Sequence, residues 1–181
     1  MYDIYCDATG TDRPRDNNWG RDKRPVIYVN WEEAVAFADW MGCRLPTKAE
    51  WEYACRAGTN TLLNTGNNLT SSQTNCEGTC PYINSTKGVC VGKTLPVGNF
   101  LPNSWGLYDM HGNVSEWCND WYGPYSSEAE TNPQGPITGV SRVVRGGGWT
   151  SRAGRCRGAS RFSHYPASSF FDAGIRLVFS D

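Results

Sequence analysis

This chain of 181 residues has no long hydrophobic run, no prevailing charge and only two histidines, His111 and His164. Apolar runs such as Val143-Val144 or Leu177-Val178-Phe179 are far too short to cross a bilayer. Lys+Arg 17 against Asp+Glu 18 leaves a net charge of −1, which provides no global basic field for nucleic acid. The opening MYDIYCDATG is not a signal peptide, because Asp3 and Asp7 interrupt any apolar stretch. No internal repeat and no linker divides the chain, so residues 1–181 are expected to form a single domain. The sharpest absence is local. Residues 150–173, TSRAGRCRGASRFSHYPASSFFDA, contain no Val, Ile, Leu or Met, and no Lys, Glu, Gln, Asn or Trp. A segment without aliphatic side chains builds little core. Its aromatics among Ser, Gly and Arg resemble the makeup of binding loops.

What is present is irregular backbone pinned by large aromatics, with 20 Gly, 10 Pro and 8 Trp. Tyr2, Tyr5 and Cys6 share one face at helical spacing. Pro25 to Val29 is a short extended run. Asn30 with Glu33 predicts a helix start, Trp31 to Met41 follows with Ala34, Val35 and Ala38 on its apolar face, and Gly42 stops it. Thr47-Lys48-Ala49-Glu50 is a capping box. Behind it Trp51, Ala54 and Cys55 line one face before Gly58. Residues 59–98 dissolve into Asn, Thr, Ser and Gly, a loop long enough to be functional or tied down locally. Val140 to Arg145 and Ile175 to Phe179 predict strands holding the two ends of the aliphatic-free segment.

Several ordered motifs carry a resemblance. They are Val29-Asn30-Trp31-Glu32-Glu33-Ala34, Arg44-Leu45-Pro46-Thr47-Lys48-Ala49-Glu50-Trp51-Glu52-Tyr53-Ala54, Gly106-Leu107-Tyr108-Asp109-Met110-His111-Gly112-Asn113-Val114-Ser115-Glu116-Trp117, Arg145-Gly146-Gly147-Gly148-Trp149 and Gly174-Ile175-Arg176. Together they resemble the formylglycine-generating enzyme (sulfatase-modifying factor) domain family. The resemblance implies an α+β, C-type-lectin-like fold with little regular secondary structure, two helices and short antiparallel strands. The family's usual N-terminal strands, before the helix carrying Tyr2 to Cys6, have no counterpart. The family's oxygen-dependent enzyme uses a copper-binding cysteine pair. Ser151 occupies the first of those positions and the second has no counterpart. Copper(I) wants soft thiolates, which a hydroxyl does not replace. Cys156 matches a third, structural cysteine. No copper and no enzyme activity are therefore expected. The related sulfoxide synthases need an iron-binding His cluster that two histidines do not supply.

The family's remaining relatives are the variable proteins of diversity-generating retroelements, of the treponemal major type. Their adenine-directed mutation cannot write Lys, Glu, Gln, Met or Trp, an exclusion that residues 150–173 obey. The expectation is thus a non-enzymatic ligand-binding protein with a variable segment 150–172. Its partner would be a protein and not nucleic acid, with no membrane span in this chain, met outside the cytoplasm or at the cell surface. The expected contact residues are Thr150, Ser151, Arg152, Gly154, Arg155, Ser160, Phe162, Ser163, His164, Tyr165, Ser168, Phe170, Phe171 and Asp172. The bland alternative is an ordinary loop whose aromatics pack on the domain. Two rival functions are a formylglycine-generating-enzyme-like oxidase acting on a cysteine substrate and a carbohydrate-binding lectin-like module.

The resemblance also implies a structural Ca²⁺ held by the Asp109 and Glu116 side chains and the Gly112 and Val114 carbonyls, against the alternative that Glu116 pairs with an arginine. A second family site at Asn75 and Cys76 lacks its Asp, with Lys87 near that place. The family's disulfides imply a Cys55–Cys156 bridge, while the other pair maps to Ala38 and Leu177. Cys80 and Cys90 bracket a turn and form a second candidate pair. Zinc at Cys76, Cys80 and Cys90 lacks the usual spacing and a fourth ligand. Cys6, Cys43 and Cys118 read as buried small hydrophobes.

Overall fold

Two reciprocal caps set the main helices. The structure, a computed structural model, describes residues 1–83 and 86–179. Asn30 Oδ1 accepts from the Glu33 amide at 2.9 Å, and Glu33 Oε2 accepts from the Asn30 amide at 2.8 Å. Thr47 and Glu50 repeat the arrangement at 3.1 and 2.8 Å. Each box satisfies two amides that a helix start leaves without partners. Three α-helices result: α1 (Tyr2–Thr9), α2 (Trp31–Trp40) and α3 (Lys48–Arg56). The predicted pair thus becomes three, α1 burying Tyr2, Tyr5 and Cys6 as their spacing requires. Gly42 takes φ 66 just past α2, while Ala57 itself turns left-handed to end α3.

Strands are few and short. They are β1 (Cys43–Arg44), β2 (Ser115–Trp121), β3 (Arg142–Arg145), β4 (Phe162–His164), β5 (Ala173–Gly174) and β6 (Val178–Phe179). One sheet has the order β4-β3-β2-β5, and β1 pairs with β6 in a second. The expectation of antiparallel strands needs one correction, because β5 runs parallel to β2, with Ser115 opposite Ala173 and Glu116 opposite Gly174. The loops between β4 and β5 bring the chain back beside β2 from the same end. Pro25 to Val29 is not a strand. Tyr28 sits at φ 59, and its amide donates to the Phe170 carbonyl at 2.9 Å.

Trp117 and Val144 face Ala34, Ala38 and Leu45 in one core cluster, with Leu177 packed against it. The Ala38 and Leu177 positions implied by the family's absent disulfide therefore do lie together. A second cluster joins Trp51 and Cys55 of α3 to Met110, Cys118 and Val143. The Lys48 ammonium donates to the buried Asp120 carboxylate at 2.9 Å, beside the sheet. Arg142 lies between the Trp31 and Trp121 rings, 3.7 and 3.5 Å from their centroids.

A further cluster binds the long loop to the aliphatic-free segment: Leu63, Leu69 and Cys76 pack on Ala153 and Cys156. The segment thus contributes core after all, through Ala and Cys. The Glu77 amide donates to the Ser151 carbonyl at 2.9 Å, and Glu77 bridges to Arg152 in parallel. This fixes residues 75–77 alongside 151–153.

Candidate functional site

Arg145 leads out of β3 into Gly146-Gly147-Gly148. Its guanidinium is buried and donates to Glu52 Oε2 at 2.6 Å and to the Lys48 and Ser160 carbonyls. Gly147 stands at φ 70, and a Cβ there would come within 2.8 Å of Cys156 Sγ and 3.1 Å of Ser151 Cβ. Only glycine suits that left-handed, crowded position. The triple glycine thereby brings Ser151 and Cys156 to the same point on the backbone.

Cys156 and Cys76 lie in one buried cluster, and the interaction between their thiols splits their acidities. It holds the Cys76 thiol below its ordinary range. Cys156, fully enclosed, is pushed well above it, by that same interaction and then by burial. Cys55 is elsewhere. Its sulfur lies 3.8 Å from His111 Nε2, and burial pushes its thiol up to about 12. His111 Nδ1 bonds the Cys156 carbonyl at 2.7 Å, and Nε2 accepts from the Asn64 amide at 3.0 Å. The ring is therefore a neutral strut whose pKa burial lowers to about 4. All eight cysteines are free thiols in the structure, with Cys55 against His111 and Cys156 in one buried cluster with Cys76. Cys80 and Cys90 are likewise free and half-buried, Cys90 bonding Glu77. Cys6, Cys43 and Cys118 are buried, as small hydrophobes would be. Among the described residues no group of three or more His, Cys, Asp or Glu is placed to hold a metal ion.

Above the thiols lies an aromatic surface. Trp149 meets Phe171 at 5.6 Å and Trp19 edge-on at 5.4 Å between centroids, and Thr150 Oγ1 donates to Asp172 Oδ2 at 2.7 Å. Phe171 and Tyr165 are exposed. The other expected contact residues divide. Arg152 and Arg155 are exposed, Arg155 lying over the Phe162 ring at 5.1 Å. Ser151, Ser163 and Ser168 are half-buried. Phe170 stacks on His164 at 3.8 Å, and burial lowers the His164 pKa. Ser160 is buried, with its carbonyl taken by Arg145, so it does not belong to an open contact surface, while Gly154 is half-buried beside Tyr82. Neither Trp19, in the polar loop of residues 9–24, nor Cys76 is marked for this site by its place along the chain. Trp19 had a signal, as the one large apolar residue of its loop; nothing along the chain pairs Cys76 with Cys156.

Asp109, Gly112, Val114 and Glu116 line one cavity of about 280 Å³, together with Arg176. Arg176 Nε and Nη2 donate to Glu116 at 2.7 and 2.8 Å, and Trp51 Nε1 donates to it at 2.6 Å. The expected Glu–Arg alternative is therefore realised at Glu116. Asp109 accepts only the Gly98 amide, at 2.8 Å, among the described residues, and burial pushes its carboxyl up.

Residues 5–180 match the family model described as sulfatase-modifying factor enzyme 1-like domain. The formylglycine-generating enzyme of Streptomyces coelicolor is 40% identical over 174 residues, covering 91% of this chain and 55% of that protein. The mouse (Mus musculus) formylglycine-generating enzyme is 41% identical over 167 residues, covering 87% and 45%. The chain thus spans about half the length of these relatives. Among solved structures, Treponema denticola variable protein 1 superposes with a TM-score of 0.74 at 27% identity, covering 96% of this chain and 79% of that one. The likeness to a variable protein is thus one of fold, at lower identity than to the enzymes. These relatives overturn the expectation of a non-enzymatic variable protein and favour the oxidase alternative. That expectation rested on Ser151 in place of the first cysteine of the pair, on the missing second cysteine and on the residue types that residues 150–173 lack.

Proposed function

The chain belongs to the sulfatase-modifying factor enzyme 1-like domain family, and from that premise we propose that it is the site-bearing part of a formylglycine-generating-enzyme-like oxidase acting on a cysteine of a polypeptide. The observation that carries this is 40% identity along 91% of the chain to an enzyme of that name. The fold is read as C-type-lectin-like. The reaction converts a CH₂SH side chain to CHO. The C–S bond breaks and sulfur leaves as H₂S; dioxygen is the oxidant and a pair of thiols the reductant, so that CH₂SH, O₂ and two thiols give CHO, H₂S, H₂O and a disulfide.

The residues divide the work by exposure. Trp149, Phe171 and Tyr165 give a polypeptide rigid contact area, and Arg152 and Arg155 give it charge-assisted contacts. Ser151 is half-buried and meets Gly147 on the side where Cys156 does. At the position where the resemblance puts the first copper cysteine stands this Ser151 hydroxyl, a poor ligand for a soft ion, so copper does not fit at the matched positions. For a structural Ca²⁺ the cavity offers the Asp109 carboxylate with the Gly112 and Val114 carbonyls, while the Glu116 oxygens are taken by Arg176 and Trp51.

The test is direct. The chain is incubated aerobically with a thiol reductant and synthetic peptides that each hold one cysteine. Mass spectrometry then looks for conversion of CH₂SH to CHO, and a hydrazide probe captures the aldehyde. Aldehyde on at least one peptide is expected; none on any peptide overturns the proposal.

A further inference from the structure

We propose that the surface beside Ser151 selects acidic polypeptides, through four arginines that the fold presents without carboxylate partners. This rests on the reading above for the use of the site and adds the class of its substrate. Residues 150–171 contain Arg152, Arg155, Arg157 and Arg161 and no Asp or Glu, in a chain whose net charge is −1. Elsewhere Arg21 pairs with Asp3, Arg44 with Glu50, Arg145 with Glu52 and Arg176 with Glu116. Among the described residues none of the four forms such a pair.

Aromatic rings and backbone carbonyls hold these side chains instead. Arg155 lies over the Phe162 ring at 5.1 Å, Arg157 over Tyr82 at 5.7 Å, and Arg161 over Tyr125 at 3.9 Å and Tyr122 at 4.6 Å. Arg157 Nε donates to the Gly154 carbonyl at 2.8 Å, and Arg161 Nη1 to the Gly123 carbonyl at 2.6 Å. A guanidinium laid on a ring keeps an in-plane N–H edge for a partner, and a fork already held in place loses little freedom when a carboxylate docks on it. The four are gathered by one turn. The Arg155 amide donates to the Arg152 carbonyl at 2.8 Å, and Ser160 Oγ reaches the same Gly154 carbonyl as Arg157. Arg155 then crosses to Phe162, the neighbour of Arg161. Arg152 and Arg155 are exposed, Arg157 and Arg161 half-buried. Carboxylates border this strip without neutralising it. Glu77, across the backbone bridge from Arg152, accepts the Thr79 hydroxyl, Asp172 accepts that of Thr150, and Glu128 and Glu130 lie beyond Tyr125. A segment rich in Asp and Glu supplies the charge the strip lacks, and it also meets Trp149, Tyr165 and Phe171. A nucleic acid finds no wider basic field, because the whole chain is net negative.

The test follows the fluorescence anisotropy of labelled peptides titrated with the reduced chain. Serine replaces the cysteine in each peptide, so that no reaction intervenes. The flanking residues are acidic, uncharged or basic, and a single-stranded RNA of the same length is a fourth probe. The acidic peptide should bind about tenfold more tightly than the uncharged one, and added salt should erode that advantage. Arg152→Gln combined with Arg155→Gln should remove most of the preference. Arg13→Gln, whose arginine pairs with Asp7, should keep it. Circular dichroism confirms that each variant is folded. Equal binding of the uncharged or the basic peptide overturns the proposal, as does a preference that survives the double substitution, or RNA bound more tightly than the acidic peptide. Cysteine forms of the same peptides separate this proposal from the oxidase. Acidic preference without aldehyde removes only the oxidase; aldehyde formed equally on all three peptides removes only the acidic specificity.

Discussion

Acidification from pH 7 to 5 should weaken this protein through one buried ring. His111 is neutral and doubly satisfied, donating from Nδ1 to the Cys156 carbonyl and accepting at Nε2 from the Asn64 amide. A second proton would have to sit on Nε2, facing that amide, away from water. Burial accordingly lowers its pKa from 6.5 to about 4. In the unfolded chain the ring titrates at its ordinary value. The unfolded state therefore takes up a proton first as pH falls, and stability is lost between about pH 6.5 and 4. At about 1.36 kcal/mol per pH unit, the loss is about 2 kcal/mol by pH 5 and about 3 kcal/mol by pH 4. His164 is also lowered by burial and adds loss of the same sign. Carboxylates titrate mainly below pH 5, so the interval from 7 to 5 isolates the histidines. Below it, Asp109, raised by burial, works the other way, while Glu50, lowered first by its bond to Arg44, adds to the loss. Urea unfolding at several pH values measures the loss. Proton NMR resolves two imidazole signals, because the chain has two histidines. A signal from His111 titrating near 6.5, or stability unchanged from pH 7 to 5, would refute the reasoning.

Three other outcomes follow from the same structure. Asp120→Ala leaves the Lys48 ammonium buried without its carboxylate, and about 3–5 kcal/mol should be lost in urea unfolding. Gly174→Ala places a Cβ 2.7 Å from the Val26 carbonyl and 3.0 Å from Val114, so overpacking should cost about 1–3 kcal/mol, seen as a lower Tm. Ca²⁺ should raise Tm in proportion to the logarithm of its concentration, and Asp109→Asn should remove that response; a Tm indifferent to Ca²⁺ and to chelator sinks the calcium site.

What could be read along the chain and what could not divide by the range of the interactions. The caps at Asn30 and Thr47 act within three residues, so their sequence signature and their geometry coincide. The faces of α1 and α3 follow from spacing alone, since Tyr2, Tyr5 and Cys6, and Trp51 and Cys55, fall on one side of a turn. The extended run of Pro25 to Val29 is broken at Tyr28, which is bent into the left-handed region, where its amide reaches the Phe170 carbonyl. No local propensity encodes that partner. The candidate site is harder still. Its aromatic surface is legible, because residues 150–173 announce their composition and Tyr165 and Phe171 do stand exposed. Its interior is not. Which thiol faces Cys156 is decided by the Glu77–Ser151 hydrogen bond and by the close approach at Gly147, both contacts between distant segments. A chain-order reading registers the loss of a cysteine at 151, and only the folded arrangement places Cys76 beside Cys156.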